Sequence, residues 1–292
     1  MAGDIRRVGV AGCGTMGAGI AIVTARAGFG TVMYDTSPET LERARGQIEG
    51  FLAKSVQRGK LSRDAAAAAL RAMTVTTDIA GLRGCDLVIE AVYEDLATKQ
   101  ELFAKLDALC PPHTILATNT STLSVTEIAS GCGRPEQVVG LHFCLPAQLM
   151  KLVEVTPGLL TAATVLDRAW ELCLMLGQEP VRTSDTPGFL LNYFVVPLNN
   201  DAIRLVESGA AEPAEIDAAM KLGMGYPMGP CELLDLIGLD TQLRLCEAFH
   251  AVTNDPRHSA PPLLRRMVAA GRLGRKTGRG FYTYERDAMF GG

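Results

Sequence analysis

The stretch Arg7-Val8-Gly9-Val10-Ala11-Gly12-Cys13-Gly14-Thr15-Met16-Gly17 decides the fold class. Arg7 to Gly12 reads as a buried strand, and Met16 to Ala27, rich in Ala and Ile and ended by Gly28, reads as the helix after it. Between them lies a GxGxxG turn. Its first glycine permits a tight bend, its second lets backbone approach a pyrophosphate, and its third lets helix and strand pack closely. The helix N-terminus adds N–H donors and a positive dipole. Thr31 to Asp35 is a second strand, and Asp35 closes it about 20 residues past the first glycine, where a carboxylate accepts both ribose hydroxyls of NAD and repels a 2′-phosphate. No arginine follows in Thr36-Ser37-Pro38-Glu39, which favours NAD over NADP. Gly12, Gly14, Thr15, Met16, Gly17 and Asp35 are the candidate cofactor contacts. A glycine-rich turn holding no ligand is the plainer alternative; strand, helix and acid together count against it.

Outward from this turn, short apolar runs keep alternating with helical stretches, the pattern of βαβ units on a parallel sheet. Ser37-Pro38 offers an N-cap followed by proline at the first helical position. The long helix behind it is expected to break near Gly59-Lys60-Leu61-Ser62, and the run Ala65 to Ala69 reads as ordinary helix. Further strands are expected at 86–92, 114–118, 138–143 and 152–156, with a helix over 96–109. The texture changes after Val181-Arg182-Thr183-Ser184 and looks helical from Pro187 onward. The expected architecture is α/β: a Rossmann-type NAD-binding domain over 1–184 and an all-helical domain over 185–292.

Composition narrows the function classes. The 292 residues carry a net charge of -4, which disfavours nucleic-acid binding and a polybasic membrane patch, and 48% hydrophobic content disfavours disorder. No apolar run approaches the roughly 20 residues of a membrane helix. The eight cysteines are scattered without a CxxC pair, and none of the four histidines is spaced as a metal pair. Free thiols in a cytoplasmic protein without a resident metal are the expectation.

His142 ends an apolar strand in GLHF, and Glu154 lies in the next strand, MKLVEV. A carboxylate beside an imidazole would fix its tautomer and favour the imidazolium, which suits a general base taking a hydroxyl proton. A packing histidine is the bland alternative. At this point GCGTMGAGIA, DLVIEAVYEDLATKQELF, NTSTLSVTEIA, GLHF with MKLVEV, DTPGFLLNYFVVPLNNDAIRLVESG, AAMKLGMGYPMGPCELLDLIGLD and LGRKTGRGFYTYE, in that order, carry a resemblance. Over nearly its whole length the chain resembles the L-3-hydroxyacyl-CoA dehydrogenase family. That resemblance implies NAD-dependent interconversion of a 3-hydroxyacyl and a 3-oxoacyl thioester, with acyl-CoA or acyl-carrier-protein thioester as substrate, and a homodimer formed through the helical domain. It implies that His142 is the catalytic base and Glu154 its partner, that Ser121 and Asn192 hold the substrate oxygen and thioester, and that Glu94, Lys99 and Lys276 lie around NAD. Structural alternatives stand beside these roles. Ser121 could cap the helix near Val125, Asn192 could cap its own helix, Glu94 could cap the helix near Leu96, and Lys99 and Lys276 could be surface charges.

The chain departs from its family in three places. Leu145 replaces an asparagine in His142-Phe143-Cys144-Leu145-Pro146, Tyr193 replaces an arginine, and Phe51 stands where many relatives carry serine near CoA. Arg58 or Lys60 could still bind the CoA phosphate. The alternatives left open are a carrier-bound substrate in secondary metabolism, a gulonate- or carnitine-type hydroxy-acid dehydrogenase, and a non-catalytic NAD binder.

Overall fold

The computed structural model describes residues 5–285; residues 1–4 and 286–292, the outer ends of the two expected domains, lie outside. The chain forms two compact units that divide between Phe189 and Leu190.

The first unit is built on an eight-stranded sheet ordered β3-β2-β1-β4-β5-β6-β7-β8. Strands β1 (Arg7–Ala11), β2 (Gly30–Tyr34), β3 (Met73–Thr76), β4 (Leu87–Glu90), β5 (Ile115–Thr118) and β6 (Val138–Phe143) run parallel. Strand β7 (Leu152–Pro157) turns back antiparallel to β6, and β8 (Glu179–Arg182) follows β7. Helices α1 (Thr15–Arg26), α2 (Pro38–Gln57), α3 (Arg63–Arg71) and α6 (Ala163–Met175) share one core with one sheet face; α4 (Leu96–Leu109) and α5 (Val125–Ala129) share the other. Both faces being covered explains why β1 and β4 to β6 are nearly all apolar. The break near Gly59 separates α2 from α3. Ser37 and Ser62 cap these helices by accepting from Thr40 N and Ala65 N, each at 3.1 Å.

Two strands escape the apolar-run reading, and both lie at sheet edges. In β3 (Met-Thr-Val-Thr) no residue is buried, and β8 contains Pro180, which an edge strand tolerates because its N–H is not needed. The connection from β1 leads to β2 on one side, and that from β4 leads to β5 on the other. The crevice beyond the carboxyl ends of β1 and β4 is therefore the topological switch point, where open α/β sheets bind ligands.

The second unit comprises α7 (Leu191–Glu207), α8 (Pro213–Met224), α9 (Pro230–Ile237), α10 (Leu239–Thr253) and α11 (Pro262–Ala269) around Val196, Ile203, Leu234, Leu239, Phe249 and Leu264. Buried Asp235 accepts from Phe281 N and Tyr282 N, both at 2.9 Å, and from the Tyr284 hydroxyl at 3.0 Å, so the last described segment is tied to α9. Burial and that carboxylate push the Tyr284 phenol up to about 12. All eight cysteines are free, and burial raises every thiol, Cys13 and Cys173 to about 12. Among the described residues no helix is long and apolar enough to cross a membrane.

Candidate active site

The antiparallel register of β6 and β7 sets His142 directly opposite Glu154. Cross-strand partners project on the same face with their side chains in reach, so backbone pairing alone brings imidazole and carboxylate together. His142 Nδ1 donates to Glu154 Oε2 at 2.7 Å; Glu154 is 1% exposed and His142 6%. With Nδ1 bound to a carboxylate, neutral His142 carries its proton there and keeps Nε2 as an acceptor. That Nε2 lies 3.1 Å from Ser121 Oγ. Carboxylate, imidazole and hydroxyl thus form one line.

The loop after β5 holds the hydroxyl in place. Asn119 Oδ1 accepts from Phe143 N at 2.9 Å, joining the loop to β6. Glu94 accepts from Ser121 N (2.7 Å), Thr122 N (2.9 Å) and Thr120 Oγ1 (2.5 Å), so a single carboxylate gathers the turn on which Ser121 sits. Burial pushes the Glu94 carboxyl up, but the Lys99 ammonium and these hydrogen bonds outweigh it and hold the group below the usual carboxylate range. Lys99, 1% exposed, lies 3.3 Å from Glu94 and donates to both oxygens of fully buried Glu90 at 2.7 and 2.9 Å. Glu90 also accepts from Thr118 Oγ1 and from Val92 N. Neither capping role considered for Glu94 and Ser121 is filled by them: Asp95 caps α4 and Ser124 caps α5. Lys99 is likewise no surface charge.

Carboxylate, imidazole and hydroxyl in a line also describes a hydrolase triad. Acyl transfer further requires N–H donors aimed at the developing oxyanion. The N–H groups of Ser121 and Thr122 are both spent on Glu94. The arrangement suits passing a proton to and from an oxygen held by Ser121 and His142.

Gly12 closes the turn after β1 with φ +93°, and a Cβ there would stand 2.7 Å from the Ala91 carbonyl oxygen beyond β4. A Cβ on Gly17 would run into the Gly12 carbonyl, so α1 approaches the turn as closely as glycine allows. Beside exposed Gly14 a Cβ would meet nothing within 4 Å, and the first turn of α1 has no side-chain cap. Room and uncapped N–H groups coincide there, with Thr15 and Met16 in the same turn, which fits a pyrophosphate. Asp35 follows β2 and accepts from Cys13 N (2.8 Å) and Ser37 N (3.0 Å), one on each oxygen. Each oxygen retains acceptor capacity for a ribose hydroxyl.

The remaining candidates lie elsewhere. Arg58 caps the end of α2 and Lys60 follows it, both exposed. Phe51, on α2, packs against the core of the first unit. Asn192 is in the first turn of α7, and Lys276 pairs with Asp240; both belong to the second unit. Sequence reasoning missed Glu90, although a carboxylate inside the apolar run DLVIEAV signals a buried partner. It also missed Asp185, which accepts from Ser124 Oγ (2.9 Å), Val125 N (2.7 Å), Thr126 N (2.9 Å) and Thr126 Oγ1 (2.6 Å) at the start of α5.

With this geometry in place, comparison with known proteins gives concordant matches. A family model described as "3-hydroxyacyl-CoA dehydrogenase, NAD binding domain" matches residues 7–186, and one described as "3-hydroxyacyl-CoA dehydrogenase, C-terminal domain" matches residues 188–284. A probable 3-hydroxybutyryl-CoA dehydrogenase of Bacillus subtilis is 44% identical over 97% of this chain and 98% of its own. A 3-hydroxybutyryl-CoA dehydrogenase of Clostridioides difficile is 41% identical over 96% and 100%. Among solved structures, an (S)-3-hydroxybutyryl-CoA dehydrogenase from Ralstonia eutropha superposes with a TM-score of 0.91 at 38% identity, covering 97% of this chain and 100% of that one.

Proposed function

The chain belongs to the 3-hydroxyacyl-CoA dehydrogenase family, and from that premise we propose that His142 is the acid–base of its reaction, oriented by Glu154 and assisted by Ser121. The protein is an NAD-dependent oxidoreductase interconverting 3-hydroxyacyl-CoA and 3-oxoacyl-CoA. Relatives named for 3-hydroxybutyryl-CoA support a short acyl chain; neither a carrier-bound substrate nor a simple hydroxy acid is favoured. The observation that carries the assignment of roles is the line Glu154–His142–Ser121, at 2.7 and 3.1 Å.

NAD fits the turn Gly12, Gly14, Thr15, Met16, Gly17, with Asp35 on its ribose; when bound, it supplies the hydride acceptor for C3. His142 Nε2 takes the 3-hydroxyl proton as the alcohol is oxidised and returns it in the reverse direction. Glu154, buried and accepting from Nδ1, stabilises the imidazolium that forms. Ser121 Oγ donates to the same substrate oxygen, and Glu94 and Lys99, beside the Ser121 turn, border the cofactor end of the site. Asn192 on the thioester, Lys276 on NAD and Arg58 or Lys60 on the CoA phosphate complete the reading, together with a homodimer through the second unit. Eight free thiols support a reducing, cytoplasmic setting.

The test is acetoacetyl-CoA reduction followed by NADH absorbance. His142→Ala abolishes turnover while NAD binding persists, and Glu154→Gln lowers kcat by about 10²–10⁴. A His142→Ala enzyme retaining more than about one hundredth of wild-type kcat, or one that has lost NAD affinity, would refute the assignment.

A further inference from the structure

Phe189 is one of two non-glycine residues with positive φ among those described, at +51°; the other is Asn254, a residue type that tolerates this region. A bulky aromatic there is strained and persists only where its surroundings over-determine it. The surroundings do so here. Asp185 fastens the segment's start to α5 through the hydrogen bonds given above, Phe189 N donates to Thr186 O at 2.9 Å, and Gly188 takes φ +73° just before it. The result is a side chain turned inward, 5% exposed, whose ring centroid lies 5.6 Å from that of His142 at an interplanar angle of 51°. The strained backbone places one aromatic ring against the imidazole whose two nitrogens face Glu154 and Ser121.

We propose that Phe189 is a positioning residue for the reaction: its ring forms the wall that keeps the His142 imidazole on the line between Glu154 Oε2 and Ser121 Oγ. This rests on His142 being the acid–base. Nδ1 and Nε2 each have a polar partner, but two hydrogen bonds along one line leave the ring free to tilt about that line. A flat hydrocarbon surface beside it removes that freedom and keeps water from the imidazole. An ordinary backbone at residue 189 would carry the ring elsewhere.

The experiment pairs Phe189→Leu, apolar but without the ring, with Phe189→Tyr, which restores it, and reads two quantities. The first is steady-state kinetics of acetoacetyl-CoA reduction. The second is the downfield proton resonance of the His142 Nδ1–H to Glu154 hydrogen bond in the cofactor-free protein, assigned by its absence from His142→Ala. Phe189→Leu is expected to lower kcat about tenfold with both KM values within about twofold, and to broaden or remove the downfield resonance. Phe189→Tyr is expected to return both towards wild type. Should the leucine variant not fold, Phe189→Met is read identically. A kcat within twofold of wild type, an unchanged resonance, or a loss that tyrosine does not rescue overturns the proposal. An active His142→Ala enzyme refutes the acid–base reading instead, so the two failures are distinguishable.

Discussion

Replacing Lys99 by methionine removes one positive charge from a site with no solvent to replace it. Its Nζ lies 2.7 and 2.9 Å from the two oxygens of Glu90 and 3.3 Å from Glu94, and the Lys99 and Glu90 side chains are 1% and 0% exposed. Unit charges about 3 Å apart attract by roughly 5 kcal/mol at an effective dielectric of about 20. Methionine matches the stem in length and leaves no large cavity, so the dominant cost is Glu90 left buried without its cation. Breaking such a pair from one side typically costs about 3–5 kcal/mol, a large part of the roughly 5–15 kcal/mol that holds a domain folded. Glu90→Gln combined with Lys99→Met should recover at least half the loss, because the fully buried Glu90 charge is gone and Glu94, partly exposed, keeps its hydrogen bonds to the Ser121 turn. Urea unfolding followed by far-ultraviolet circular dichroism gives the comparison through the first transition. A single variant within about 1 kcal/mol of wild type, or a double variant no more stable than the single, would refute this account of the buried triad.

Gly17→Ala puts a Cβ into the Gly12 carbonyl, so either α1 moves off the turn or the turn opens; NAD affinity measured by calorimetry should fall at least tenfold, and an unchanged dissociation constant would show the close approach to be dispensable. Glu94 is depressed below its unfolded value of about 4.3, so its contribution is present above that pH and is lost as pH falls through the lower folded value. Acid inactivation below about pH 4 should therefore be moved towards neutrality by Thr120→Val, which deletes one hydrogen bond that stabilises the carboxylate; the same acid limb in both proteins would exclude Glu94 from it.

The nucleotide turn was legible because each of its requirements is local: glycines at fixed spacing, an apolar strand before, a helix after, and Asp35 at the end of the next strand. His142 and Glu154 could each be named, but their contact depends on the β6–β7 register, which spacing alone does not specify. Glu90 is visible as a charge in an apolar strand, but nothing local names Lys99 as its partner. Asp185 opens the stretch DTPGF, but nothing local relates it to the start of α5. Phe189 could not have been read as left-handed, because its residue type argues against that conformation. The edge strands β3 and β8 were missed for lack of the buried face that makes other strands read as apolar runs.

The opposition of His142 and Glu154 has a consequence for how such an enzyme can diversify. The segment 144–151 joins the two strands but takes no part in their pairing, so its length and chemistry can drift while the acid–base pair stays where the ladder puts it. Leu145 falls in that segment. A one-residue slip of β7 would instead present a valine to His142 and turn Glu154 to the opposite face of the sheet. Innovation is thereby channelled: the loop is open to experiment by evolution or by the engineer, and the ladder beneath it is closed.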